Sequence, residues 1–215
     1  MRTAFLIDGF NFYHSLKETT YRDKRTGATR TQKLPRNLMW FNYKAFCQLF
    51  LNADDKLQDI YYFTALSTHK PDSLKRHRIY LNVLEDIGIK IVLGRFKNKK
   101  REFYQCKNKW NHPEEKETDV KIALEAYALA HSKSVEKILL VSGDTDFLPV
   151  LQRLKQDFPA VATEIVFPFN RHSQEFLDEG FKRHKTSLQN LQASLFPRKM
   201  TLSDGSIIER PKEWM

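Results

Sequence analysis

Two kinds of pattern alternate along the chain. Short runs that are apolar at nearly every position are followed by longer stretches whose apolar residues recur every three or four positions. The first kind reads as strand buried on both faces, the second as amphipathic helix. Thr3 to Ile7 is a first strand. Asn42 to Leu51 is helical, with Tyr43, Phe46, Leu49 and Phe50 on one side, and Ile60 to Leu66 is an aromatic-rich second strand. Pro71 opens a helix that runs to Asp86, with Leu74, His77, Leu81 and Leu84 spaced for burial. Pro in the first turn and Gly88 past the end are the punctuation such a helix takes. Ile89 to Leu93 is a third strand. Glu117 to His131 is helical, with apolar Val120, Ala123, Leu124, Tyr127 and Ala128 at spacings of three and four. Ile138 to Val141, Phe147 to Lys155 and Val161 to Phe167 follow as strand, helix and strand.

Strands separated by helices, with near-continuous apolar runs, predict a mostly parallel sheet covered on both faces. From about Leu188 the chain turns polar and irregular, with Pro197, Gly205, Pro211 and Trp214. A short helix, a small hairpin about Asp204-Gly205 and an arm are expected there. The organisation is thus one domain over 1–187, with a basic insert near 95–112, and a C-terminal arm over 188–215.

Open parallel sheets bind ligands in the crevice outside the carboxyl ends of their strands. The first strand ends in Ile7-Asp8-Gly9-Phe10-Asn11, so an acid projects into that crevice and Gly9 permits a tight turn. The fourth ends in Val141-Ser142-Gly143-Asp144-Thr145-Asp146-Phe147, two acids that open a helix. Asp119 starts another helix behind Glu114, Glu115 and Glu117. Three elements can therefore bring carboxylates to one edge. Hard cations such as Mg²⁺ and Mn²⁺ take oxygen ligands, and a divalent ion offsets the repulsion among crowded carboxylates. Such a site can activate water for phosphodiester cleavage. Each acid alone also has a plain structural reading: Asp-Gly is a turn dipeptide, Asp144 can cap its helix, and Asp119 suits a first turn.

Charge sharpens the picture. The 215 residues carry 36 Lys and Arg against 26 acids, a formal charge of +10, which favours polyanionic partners. The excess is clustered. Arg95 to Trp110 holds seven basic residues and one acid, interleaved with Phe96, Phe103, Tyr104 and Trp110. Bases of this kind track a phosphate backbone while aromatics stack on unpaired bases. The segment reads equally as a solvated two-stranded excursion. Arg22 to Arg36 is a second basic loop, and Arg171 and His172 follow the fifth strand as surface residues or phosphate contacts. No apolar run approaches the roughly 20 residues of a membrane span, and no leader pattern opens the chain. With only two cysteines, a reducing cytoplasm is expected. No phosphate-binding G-x-x-x-x-G-K-[ST] loop occurs.

Three segments together resemble the NYN domain family, a branch of the PIN-like nucleases that includes the bacterial LabA-like proteins. They are Ile7-Asp8-Gly9-Phe10-Asn11-Phe12-Tyr13, Lys116-Glu117-Thr118-Asp119-Val120, and Leu140-Val141-Ser142-Gly143-Asp144-Thr145-Asp146-Phe147-Leu148-Pro149. The resemblance covers roughly Arg2 to Arg171. It implies a PIN-like three-layer α/β sandwich and a divalent-metal ribonuclease. By motif position, Asp8, Asp119 and Asp144 would hold Mg²⁺ or Mn²⁺, with Asp146 a further acid and Asn11 a polar supporter. Arg95, Lys97, Lys99, Lys100, Arg101, Lys107, Lys109 and Arg171 are the expected contacts to RNA. The chain departs from the family at Glu117, where glycine is expected, and lacks a paired-cysteine insert. The alternative is a non-catalytic nucleic-acid-binding module of the same fold. A phosphohydrolase of small molecules fits less well, because Phe10 stands where an Asp-x-Asp motif needs its second acid. A homo-oligomer is left open.

Overall fold

The computed structural model describes residues 1–22, 25–68, 70–102 and 109–215; the side chains described exclude those of 18–22, 30, 98–102 and 109–113. In chain order the elements are β1 (Arg2–Asp8), α1 (Gly9–Lys17), β2 (Glu18–Arg22), β3 (Thr29–Lys33), α2 (Tyr43–Gln48), β4 (Lys56–Thr64), α3 (Pro71–Asp86), β5 (Lys90–Leu93), β6 (Arg95–Glu102), β7 (Lys109–Lys116), α4 (Thr118–His131), β8 (Lys137–Val141), α5 (Leu148–Asp157), β9 (Ala162–Phe167), α6 (Glu175–Asp178), β10 (Lys182–Lys185), α7 (Leu188–Ala193), β11 (Lys199–Thr201) and β12 (Ile207–Glu209).

Six strands form one sheet in the order β10-β9-β8-β1-β4-β5, every pair parallel. Alternation within the strands supplies both faces with apolar side chains. Phe5, Ile7, Leu139 and Val141 point into one cluster, with Phe12 and Leu16 of α1, Phe46 of α2 and Leu84 of α3. Ala4, Leu6, Ile138 and Leu140 point into the other, with Ile122 and Leu129 of α4 and Leu151 and Leu154 of α5. The result is a three-layer sandwich with β1 and β8 at its centre.

The first cluster also contains Leu191, Phe196 and Leu202. The segment after Leu188 therefore lies on the core: Phe41 bridges Leu195, and Trp40 Nε1 donates to the Pro197 carbonyl at 2.8 Å. The anticipated hairpin is the β11–β12 pair. Among the described residues, no helix is long and apolar enough to cross a membrane.

Helix α4 does not bury the stripe of Val120, Ala123, Leu124, Tyr127 and Ala128 that its spacing picks out. It buries Ile122, Ala126, Leu129 and Ala130, while Val120 and Leu124 are 63% and 65% exposed. The helix is apolar nearly all round, so its periodicity holds two candidate stripes. Each holds two alanines; the one left outward also carries Tyr127, whose hydroxyl donates to Asp157 at 2.8 Å, and the one with Ile122 and Leu129 packs on the sheet.

Candidate active site

The carboxyl ends of β1 and β8 are neighbours in the sheet, with Ile7 beside Val141. Beyond them the backbone is stitched by short polar bonds. Asp8 Oδ1 accepts the Asn11 amide at 3.0 Å, and Asp8 Oδ2 accepts the Ser142 hydroxyl at 2.9 Å. Ser142 Oγ in turn accepts the Asp144 amide at 3.2 Å. Asn11 Oδ1 accepts the Gly143 amide at 3.1 Å, and Asp144 caps the following turn by accepting the Asp146 amide at 3.0 Å. Asn11 and Ser142 are thus positioning residues that hold two acid-bearing loops together. The sequence motif contains Ser142 but assigns it no role.

Gly9 serves this junction by close approach and not by a left-handed turn. A methyl group there would lie 2.5 Å from the Phe63 carbonyl and 2.7 Å from Tyr62 Cζ. Only glycine lets α1 start directly against β4.

The acids influence one another. Asp8 is 5% exposed, and its carboxyl is pushed up to about 6, chiefly by burial and further by the charges of Asp119 and Asp144, against the lowering effect of its hydrogen bonds. Asp119, at the start of α4, is raised by partial burial and then by Asp144 and Asp146. Glu115 joins the group from β7. Burial first, then Asp119 and Asp8, push its carboxyl up to about 7, while the Thr118 hydroxyl donates to its Oε1. Glu115 precedes Asp119 in sequence with two other glutamates, and nothing in that run singles it out. Its membership depends on β7 pairing back along β6 to the crevice, just before α4 begins.

That ribbon follows β5, with Arg95 opposite Lys116 and Phe96 opposite Glu115. Its base sits at the acid crevice: Phe96 meets Phe10, two residues after Asp8, edge to face at 5.6 Å. Arg95 is ion-paired with Glu117, and Lys97 is exposed. The side chains of Lys99, Lys100, Arg101 and Lys109, and all of Lys107, lie outside the described residues. Arg171 is on the opposite flank, its stem against Gly143. Glu117 has φ +80°, the left-handed region where glycine is at ease, which accounts physically for the glycine expected at this position.

The donors fit one class of ion. All are oxygens, close enough that the charges of Asp119 and Asp144 add to the raising of Asp8, and none is a thiolate or imidazole; this suits Mg²⁺ or Mn²⁺. Among the described residues no three acidic, His or Cys side chains already converge on one point. Mg²⁺ keeps several waters and takes one or two protein carboxylates directly, so full convergence is not required of them.

A parallel three-layer sandwich with acids at the carboxyl edge of its central strands is the PIN-like nuclease arrangement. The family model of the NYN domain matches residues 2–179, and the chain belongs to that family. Among solved structures it is similar to a protein of unknown function, VPA0982, from Vibrio parahaemolyticus RIMD 2210633, with 19% identity and a TM-score of 0.54 over 91% of this chain and 96% of that one. At that identity the likeness is one of fold. No curated protein matches the chain.

Proposed function

We propose that this chain is a divalent-metal-dependent endoribonuclease. The observation that carries the reading is that Asp8, Asp119 and Glu115 at one edge of the sheet have carboxyls raised by burial and by neighbouring acids, beside a basic ribbon that meets Phe10. In this reading Asp8, Asp119 and Asp144 hold Mg²⁺ or Mn²⁺. The ion would supply a polarised water and a charge to stabilise the departing oxygen. Asn11 and Ser142 keep the β1 and β8 loops in register. Lys97 and its neighbours on β6 and β7 draw RNA to the crevice through its phosphates.

The test is Asp144→Asn. Asn keeps the size and one oxygen, and can still cap the turn, but lacks the charge that holds the cation. On a labelled single-stranded RNA with Mn²⁺, cleavage should fall at least about 100-fold, in keeping with loss of a major electrostatic contribution, while binding in chelator is retained or slightly tighter. Equal cleavage by both proteins, or wild-type cleavage in chelator, would defeat the reading. Binding by both with cleavage by neither favours a binding module, in which the capping bonds of Asp8 and Asp144 are their whole purpose.

A further inference from the structure

We propose that Arg171 is the cation that meets the phosphodiester being cut, on the far side of the acids from the basic ribbon. This rests on the nuclease reading above and adds a catalytic residue to it.

Arg171 stands four residues after β9. The loop that carries it is turned back sharply: Asn170 is left-handed at φ +57°, and the Arg171 amide donates to the Pro168 carbonyl at 3.0 Å. This lays the arginine against the acid loop. A methyl group at Gly143 would come within 3.1 Å of Arg171 Cβ and 3.6 Å of its Cγ, with Asn11 Oδ1 also at 3.6 Å. With no side chain between Ser142 and Asp144, the arginine stem lies close against Gly143. Neighbouring strands lie about 4.8 Å apart, and β9 is next to β8, so the loop of Arg171 is one strand spacing from that of Asp144. A guanidinium on its flexible stem spans such a gap.

The two flanks of the crevice differ in how their cations are engaged. Arg95, at the ribbon, is tied to Glu117. Arg171 is exposed, and among the described residues it has no ion pair although Asp144 and Asp146 follow the glycine it packs on. An exposed guanidinium whose stem packs between the acid-bearing residues' loop and solvent, and which makes no ion pair among the described residues, is available to an incoming anion. Its planar fork of donors matches phosphate oxygens two at a time. Across the carboxyl edge the order is then ribbon, acids, arginine. A strand of RNA drawn in by the ribbon and laid over the acids meets Arg171 next.

The chemistry requires charge stabilisation there. In hydrolysis the water oxygen bonds to phosphorus, the bond from phosphorus to one sugar oxygen breaks, and the water proton ends on that departing oxygen or in solvent. Negative charge is spread over the non-bridging oxygens in the transition state. Arg171 stays protonated, holds those oxygens and gives up nothing.

The experiment compares wild type with Arg171→Gln and Arg171→Met, the latter keeping the aliphatic stem on Gly143 should Gln disturb the turn. Single-turnover cleavage of a labelled oligouridylate is measured with Mn²⁺ at saturating protein. Binding of the same RNA is measured in chelator over a range of salt, and the Mn²⁺-induced rise in melting temperature is recorded. Expected for both variants is a loss of at least about 100-fold in the saturated rate, the scale of removing one donor to a developing oxyanion. Affinity should fall less than about tenfold and the salt slope should drop by about 0.7, one phosphate contact on a single strand. The Mn²⁺-induced melting shift should match wild type. A saturated rate equal to wild type, with only affinity lost, overturns the proposal and makes Arg171 an ordinary backbone contact. A variant that also loses the Mn²⁺ shift overturns it by making Arg171 a support of the acid loop. A wild type that neither cleaves nor gains stability from Mn²⁺ overturns the nuclease reading and this inference together, which separates that failure from one confined to Arg171.

Discussion

In the nuclease reading Asp8 is both a buried cap and an anion, and these demands conflict. Its carboxyl is pushed up from 3.8 to about 6. An acid raised in this way adds stability in full below its unfolded value, and that contribution is lost as pH rises through the folded one. The shift corresponds to about 3 kcal/mol. In chelator, wild type should therefore lose stability relative to Asp8→Asn by up to about 3 kcal/mol between pH 4 and 7, and Mn²⁺ should remove the difference. Denaturant melts of both proteins at the two pH values check this; a difference independent of pH counts against it. Comparing two proteins cancels His77, whose imidazole burial lowers to about 4. A second residue-scale conflict lies at the other end of the strands. Lys137 is fully buried, 2.6 Å from Asp55 and 3.8 Å from Glu164. Lys137→Ala strips the Asp55 carboxylate of its nearest cation, leaving it the N-terminal amine at 3.7 Å and the Asn52 donors, and should cost about 3 kcal/mol by the same melts. Asp8 and Asp144 were legible in the sequence because strand ends mark them. Ser142 and Glu115 were not, because their partners are set by tertiary register: Ser142 and Asp8 are 134 residues apart.

At the scale of elements, strands and helices of the central sandwich were legible because their periods are distinct, and the carboxyl-edge rule located the acids. The face of α4 was not, since a helix apolar on two sides has no unique moment to read. Its start carries a local contradiction as well. Glu117 adopts φ +80°, and a residue with a Cβ pays about 1–2 kcal/mol for that region. Its ion pairs with Arg95 and Lys121 are exposed and worth little. Glu117→Gly should therefore raise the unfolding free energy by about 0.5–1 kcal/mol, after the greater freedom of glycine in the unfolded chain is deducted. Chemical denaturation measures it, and a clear destabilisation would show that the ion pairs outweigh the backbone. The ribbon is expected to supply affinity and not chemistry. Replacing Lys97, Lys99, Lys100 and Arg101 by Ala should weaken RNA binding and flatten its dependence on salt, leaving the rate at saturation near wild type. An unchanged salt slope would contradict this.

Over the whole molecule, the segment from Leu188 to Met215 completes the core. Leu191, Phe196 and Leu202 are buried in it, and Trp214 packs near Trp40 and Tyr80 at 6.2 and 5.8 Å. Burial of three such side chains contributes roughly 5 kcal/mol or more, the scale of a small domain's entire stability. A chain ended at residue 187 should lose its cooperative melt and bind a hydrophobic dye; a native-like melt would show the segment to be dispensable. The polar, irregular sequence of this region hides its role, because a few anchors spaced without period carry the burial.

The central position of β1 bears on when the protein can act. Its flanking partners are β4 and β8, so the first strand made waits for residues 137–141 before it has both neighbours. Asp8 meets Ser142 only when that register closes, and the core is capped only by Leu191, Phe196 and Leu202. A nascent chain on the ribosome, surrounded by ribosomal and messenger RNA, therefore carries Asp8 well before it can assemble the junction around it, which waits for β8 and Ser142. The winding of the sheet withholds that junction until β8 has been made.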